Sequence, residues 1–270
     1  MRPRFTIAGA GGFRRRVQVT WLVLATLLFS LFYNLGLDFG LIGEKLPFML
    51  GLRLSPDGFI QGVALTILIT VVSMAVSLVV AVLTALGRLS TNALAFGVAT
   101  FYASFFRGTP LLVQVLIIYL ALPQFGIVLS ALTSGVLALS LNYGAYLAET
   151  IRAGVLSVPR GQGEAAMALG LSRGVIAFRI IAPQAMRIII PPAGSHFISM
   201  LKDSSLVSIM GLWELNFLAQ SYGRATYHYM EMLLTAAAIY WVLSIGLELA
   251  QNRLEKRFGR GFAGRQGGAE

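Results

Sequence analysis

The chain has 270 residues, a formal net charge of +10 and no cysteine; 57% of its residues are apolar and only 12% are charged. A soluble domain of this size covers its outside with roughly a quarter charged residues, so the composition excludes a soluble globule, a disordered chain and a disulfide scaffold, and leaves an integral membrane protein. Without cysteine, thiol catalysis, zinc–thiolate sites and iron–sulfur clusters are excluded too.

The positive charge does not point to nucleic acid, because most of it is gathered in three places that flank the apolar runs. Arg2, Arg4, Arg14, Arg15 and Arg16 precede the first apolar run, and Arg253, Lys256, Arg257, Arg260 and Arg265 follow the last. Arg152, Arg160, Arg173, Arg179 and Arg187 occupy one central, less apolar stretch. Such clusters mark cytoplasmic segments under the positive-inside rule.

A helix needs about 20 apolar residues to cross the hydrocarbon. Residues 17–37 carry no charge and follow Arg16, which predicts a retained first helix with its N-terminus inside rather than a cleaved leader. Asp38, Glu44 and Asp57 against Lys45 and Arg53 give an outer loop without positive excess. Residues 59–87 form the second span, closed by Arg88. The third is one interrupted helix over 89–122, loosened near Gly108-Thr109-Pro110, where Pro110 lacks a backbone donor. Residues 130–149 return to the cytoplasm, 188–213 form a fifth span interrupted by Lys202 and Asp203, and 230–249 form a sixth that ends in the basic tail. The expectation is an all-α membrane protein of about six transmembrane helices with both termini cytoplasmic.

Between the fourth and fifth spans, residues 152–187 are too polar to cross. Gly161 to Leu169 reads as a short helix with Glu164 in its first turn and Gly170 as its terminator. Ser172 caps a second short helix that ends at Pro183. An amphipathic pair like this suits either the bilayer surface or a partner protein, and the small Ala165 and Ala166 would let a partner's backbone come close.

Within the spans, Lys202 and Asp203 stand near the bilayer midplane, where ionised residues normally face a bundle interior or a wet path. Structural pairing and direct lining of a path both remain open for them. Arg107 and Glu149 fit helix-to-helix contact, and Gln114 and Asn142 fit interhelical hydrogen bonding. His196 fits packing or a substrate contact. Part of His196, Ser199, Lys202, Asp203, Ser204 and Val207 is expected to line a cavity.

Glu164-Ala165-Ala166, Gly170 and Ala182-Pro183, at their spacing, resemble the EAA loop of bacterial ABC-importer permeases. Ala182 stands where the family prefers Leu. Residues 106–114 (Phe-Arg-Gly-Thr-Pro-Leu-Leu-Val-Gln), 144–149 (Gly-Ala-Tyr-Leu-Ala-Glu) and 202–206 (Lys-Asp-Ser-Ser-Leu) resemble the polar amino-acid branch, the histidine/glutamine permease type. In that branch Thr is usual at 204, and Gly194-Ser195-His196-Phe197 replaces a Gly-Asn-x-Phe stretch. The resemblance covers about 58–255 and implies a five-helix permease core, preceded by an extra helix and periplasmic loop in 1–57 and followed by a basic tail, 256–270.

The same resemblance implies that Gly161, Glu164, Ala165, Ala166, Gly170 and Pro183 form the contact to a separate ATPase, with the coupling loop at 152–187. Arg107, Thr109, Pro110, Gln114, Asn142 and Glu149 are the candidates for helix contact or gating. The implied partners are that ATP-binding-cassette subunit, a second permease subunit of the same or similar sequence, a periplasmic or lipid-anchored amino-acid-binding protein, and membrane lipid. The implied location is a bacterial inner membrane. No cofactor is expected on this chain, and ATP and Mg belong on the ATPase: the only lysines are Lys45, Lys202 and Lys256, none in a phosphate-cradling loop. The rival reading is a stand-alone ion-coupled amino-acid carrier using Lys202 and Asp203.

Overall fold

The computed structural model describes residues 10–34, 36–55 and 58–259, so Arg2, Arg4, Asp57, Arg260 and Arg265 lie outside the described residues. The described chain is helical, with no strand and one isolated bridge between Gly62 and Glu214. It divides into two compact units, Met1–Glu44 and Lys45–Glu270. The first unit holds α1 (Ala10–Asn34). Helix α2 (Phe39–Met49) occupies ground expected to be plain loop.

The second unit carries α3 (Gly62–Leu89), α4 (Ala93–Gly108), α5 (Leu111–Leu116), α6 (Ala131–Leu156), α7 (Arg160–Ala168), α8 (Arg173–Val175), α9 (Ala182–Asp203), α10 (Leu215–Thr226) and α11 (Tyr229–Gly259). Asn92, Ser130 and Ser172 start α4, α6 and α8 by accepting from backbone N–H groups of the first turn. Among the described residues, three helical stretches are long and apolar enough to cross a membrane: Gly62–Leu89, Arg173–Met210 and Tyr229–Arg257. A fourth span results if the bent pair Ala93–Gly108 and Leu111–Phe125 is counted as one.

The structure corrects or sharpens three expectations. The interruption in the third span is a sharp bend rather than a loosening, its halves meeting at 106°. Thr109 is extended before Pro110, as a residue preceding proline prefers, and the helix cannot continue through the pair. The second helix of the central segment does not stop at Pro183. From α8 the chain runs through a π-helical turn, Ile176–Ile181, into α9, then through a 3-10 stretch, Ser204–Met210, as one rod. Pro183 sits inside this rod, where it offers no N–H to the preceding turn, and the π-helical turn Ile176–Ile181 lies directly upstream of it. Residues 215–226, left unassigned by the sequence, form α10.

The packing centre is the α3–α6 pair, the most extensive helix contact in the molecule. Lipid tails are as apolar as leucine, so helices here are joined by close approach and hydrogen bonds rather than by hydrophobic burial. Ser73, Ser77, Ala81 and Ala85 of α3 face Ala138, Ser140, Ala145 and Ala148 of α6, all buried. Ser77 donates to the Ser140 carbonyl and Ser140 to that of Ser73, each at 3.2 Å. Gly144 leaves no room for a side chain: a Cβ there would lie 2.8 Å from the Tyr102 hydroxyl and 2.9 Å from Val80.

Candidate functional site

The break at Thr109-Pro110 frees backbone carbonyls that lipid cannot satisfy. Gln114, one turn into α5, puts its amide nitrogen 2.9 Å from the Phe106 carbonyl and 2.7 Å from the Thr109 hydroxyl. Asn142 of α6 donates to the same Phe106 carbonyl at 3.0 Å and to the Gln114 side-chain oxygen at 3.1 Å. Two buried amides therefore hold the bend open, and Arg107, Gly108, Thr109, Pro110 and Leu111 form its mouth.

That mouth is one wall of a cavity of about 470 Å³. Asn142, Tyr143 and Tyr146 of α6 and His196, Ser199 and Asp203 of α9 complete it. Positions 196, 199 and 203 share one face of α9 by helical spacing. The Tyr143 hydroxyl donates to Asp203 at 2.6 Å. His196 lies edge-on to Tyr143 and against Tyr146, with ring centres 6.3 and 5.9 Å apart, and its Nε2 is 3.2 Å from the Thr150 hydroxyl. The Arg107 guanidinium stacks over the Tyr146 ring at 5.5 Å.

Of the residues expected along α9, His196, Ser199 and Asp203 line this cavity and Lys202, Ser204 and Val207 do not. Lys202 is exposed, a position away from the cavity face, and does not pair with Asp203. Ser204 is fully buried and donates to the Leu201 carbonyl at 2.7 Å. Val207 is fully buried in the core cluster with Val115, Leu139 and Met200. The switch to 3-10 geometry at Ser204 explains this, since it rotates the following residues off the α-helical face. Tyr143 and Tyr146 were not singled out by the sequence, although Asn142, Tyr143, Tyr146, Glu149 and Thr150 fall on one side of α6.

Toward the end of α6, three guanidinium groups address one carboxylate. Glu149 pairs with Arg88 of α3, with Arg152 one turn on, and with Arg107 of α4 at 3.6 Å. This knot ties α3, α4 and α6 together beside the cavity.

Beyond α6 stands the short hairpin. Helix α7 ends in the paired bonds of a Schellman turn: the Gly170 N–H donates to the Met167 carbonyl at 2.9 Å and the Leu171 N–H to that of Ala166 at 3.2 Å. Gly170 takes φ +74° for this turn, with open space around its Cα. Glu164 is the fifth residue of α7, beyond the first turn, so a helix-start role does not explain it. Glu164, Ala165, Gly161 and Pro183 are exposed, whereas Ala166 is buried beneath the hairpin. Met167, Leu169 and Phe178 are also exposed, the last two at 79% and 80%, too apolar a tip to face water alone.

One group escaped sequence reading altogether. Glu214, between the spans, is fully buried and caps α10 by accepting from Asn216 N–H at 2.9 Å and Phe217 N–H at 2.7 Å, and from the Tyr240 hydroxyl at 2.9 Å. Burial pushes its carboxyl up to about 7, against the pull of those donors. It lies outside every motif, which is why no spacing pointed to it.

Residues 77–260 match the family model described as binding-protein-dependent transport system inner membrane component. The chain is 42% identical to the L-cystine transport system permease protein TcyB of Bacillus subtilis over 74% of its length and 86% of the relative's. It is 37% identical to the arginine transport system permease protein ArtQ of the same organism, over 83% of this chain and 98% of the other. Among solved structures, an amino acid ABC transporter crystallised with histidines superposes with a TM-score of 0.74 at 36% identity, covering 82% of this chain and 99% of that one.

Proposed function

The chain belongs to the family of binding-protein-dependent transport system inner membrane components, and from that premise we propose that it is the permease subunit of an ATP-driven importer of polar amino acids. It forms the translocation path with a second permease subunit of the same or similar sequence. A separate ATPase, carrying ATP and Mg, docks at the α7 hairpin, and a periplasmic or lipid-anchored binding protein delivers substrate. Six spans in a bacterial inner membrane, with both termini on the hairpin side, account for the Arg clusters. The permease core is 58–255, with the extra helix and loop before it and the basic tail after it.

The observation that carries this reading is the continuity of one rod. Arg173–Met210 begins in the hairpin and bears His196, Ser199 and Asp203 on the cavity. A displacement of the hairpin by the ATPase therefore moves three cavity residues as a body. The cavity suits a zwitterion: Arg107 offers a guanidinium fork for a carboxylate, and Asp203 an acceptor for an ammonium group. Bringing such a pair bare through hydrocarbon would cost many kcal/mol.

Reconstitution tests the proposal. The chain is purified with the partners that accompany it, these are identified by mass spectrometry, and uptake of labelled arginine, cystine and glutamine is followed in proteoliposomes. Uptake should require the ATPase, the binding protein and ATP together. Uptake by the chain alone down an ion gradient would replace this reading with the ion-coupled carrier.

A further inference from the structure

The knot at Glu149 is out of balance. Arg88, Arg107 and Arg152 all address it, and a single carboxylate answers three guanidinium groups. Arg88 and Arg152 are mostly buried, with side chains 17% and 29% exposed, so their charge is not simply given to water. Uncompensated positive charge on partly buried side chains is costly unless an anion shares it.

The structure holds a place for one. Arg88, Thr100, Ala103, Ser104, Arg107 and Gly108 line a cavity of about 380 Å³ between the end of α3 and one face of α4. Two of these residues carry buried donors without a partner, Nε of Arg88 and Oγ1 of Thr100. Buried donors are almost always paired, and two of the unpaired ones among the described residues belong to residues lining this cavity, those of Ser73, Ser134 and Ser244 lying elsewhere. Small residues at 103, 104 and 108 leave room for a tetrahedral group. The next face of α4 turns Leu94, Val98, Phe101 and Phe105 outward, with Leu94 and Phe101 76% and 75% exposed. A polar pocket for an oxyanion thus adjoins an apolar surface.

We propose that this cavity binds a phosphate oxyanion between Arg88 and Arg107, in the membrane the headgroup phosphate of an anionic phospholipid whose acyl chains lie along the apolar face of α4. The site goes beyond the transport reading and rests on it only for orientation, which puts the knot at the cytoplasmic leaflet, where anionic headgroups gather. Arg107 forms a wall of both cavities, so an anion here would also hold the guanidinium that faces the translocation cavity.

The test uses the whole chain in detergent, titrated with phosphatidylglycerol, with phosphatidylcholine and with inorganic phosphate, and read by native mass spectrometry. Ser104 is exposed and outside the Glu149 knot, so Ser104→Glu places a carboxylate in the cavity without dismantling the ion pairs. The wild type should bind phosphatidylglycerol about tenfold more tightly than phosphatidylcholine, and Ser104→Glu should lose most of that difference. Competition by inorganic phosphate at millimolar concentration would assign the site to free phosphate as well as lipid. No competition would assign it to the headgroup with its chains. An equal preference for phosphatidylglycerol in wild type and Ser104→Glu would overturn the proposal, because the basic segments elsewhere would then account for it. A Ser104→Cys variant provides the second arm, since the chain has no native cysteine. Spontaneous crosslinking of that variant between two copies in membranes would also overturn it, by showing a second copy on this face.

Discussion

The Tyr143 hydroxyl donates to the Asp203 carboxylate at 2.6 Å and so joins the middle of α6 to the last turn of α9. One helix is fixed in the packing centre and the other is continuous with the hairpin, so this bond spans the joint between them. It also leaves one carboxylate oxygen of Asp203 for a ligand in the cavity.

Tyr143→Phe removes only the donor. A hydrogen bond to a charged group is worth about 1.5–3 kcal/mol, so affinity or turnover should change roughly 10–100-fold. Asp203→Asn should abolish uptake while ATPase binding persists. Substrate concentration dependence of uptake, compared with copurification of the ATPase, checks both; a Tyr143→Phe permease with wild-type uptake would show the bond to be idle.

The hairpin turn depends on φ +74° at Gly170, and a side chain there meets nothing within 4 Å. The cost of Gly170→Val is therefore backbone strain, about 1–2 kcal/mol, not a clash. The protein should insert and keep its thermal stability within a few degrees, but lose most ATPase stimulation. Hydrolysis in reconstituted complexes is the readout, and unchanged coupling would detach this loop from the ATPase.

Gly144→Val puts a Cβ and two methyl groups where Tyr102 and Val80 already lie within 2.9 Å of the Cβ position. Forcing α3 and α4 away from α6 should cost about 1–3 kcal/mol or more. Gln114→Leu, at the bend, should cost a similar amount, because the Phe106 and Thr109 carbonyls lose a donor in a dry environment. Melting in detergent should show both losses, larger than that of a lipid-facing control such as Val79→Ala.

The pH dependence of stability should trace to Glu214. Its carboxyl is raised from 4.5 to about 7 in the fold, chiefly by burial. A raised folded value stabilises the protein fully below pH 4.5, and the contribution is lost as pH rises through about 7. Melting temperature should fall between pH 5 and pH 8, and Glu214→Gln should flatten that slope while keeping an acceptor for the α10 cap. A slope unchanged by the substitution would place the titration elsewhere.

Access to the path separates the two halves of the expected α9 stripe. Single cysteines at Ser199 and Asp203 should react with a water-soluble thiol reagent in at least one nucleotide state, because both line the cavity. Cysteines at Ser204 and Val207, fully buried, should stay protected in all states. Protection at all four positions would make the cavity a sealed structural network.

The sequence by itself determined the class of molecule, the positions of the apolar runs, the hairpin with its Gly170 turn and the break at Pro110. All are local: charge-free length, a left-handed turn position and a missing N–H act through a few neighbouring residues. Tertiary structure decided the rest. That the break is a sharp bend depends on Gln114 and Asn142 reaching freed carbonyls from two helices. That Asp203 faces the cavity while Ser204 and Val207 turn inward depends on a change of helical geometry at Ser204. That Glu149 gathers three arginines, and that Glu214 is buried at all, depends on helices distant in sequence meeting at those points. Helical spacing sorts residues onto faces, but which face meets a neighbour is settled only when small residues such as Gly144 let the helices come together.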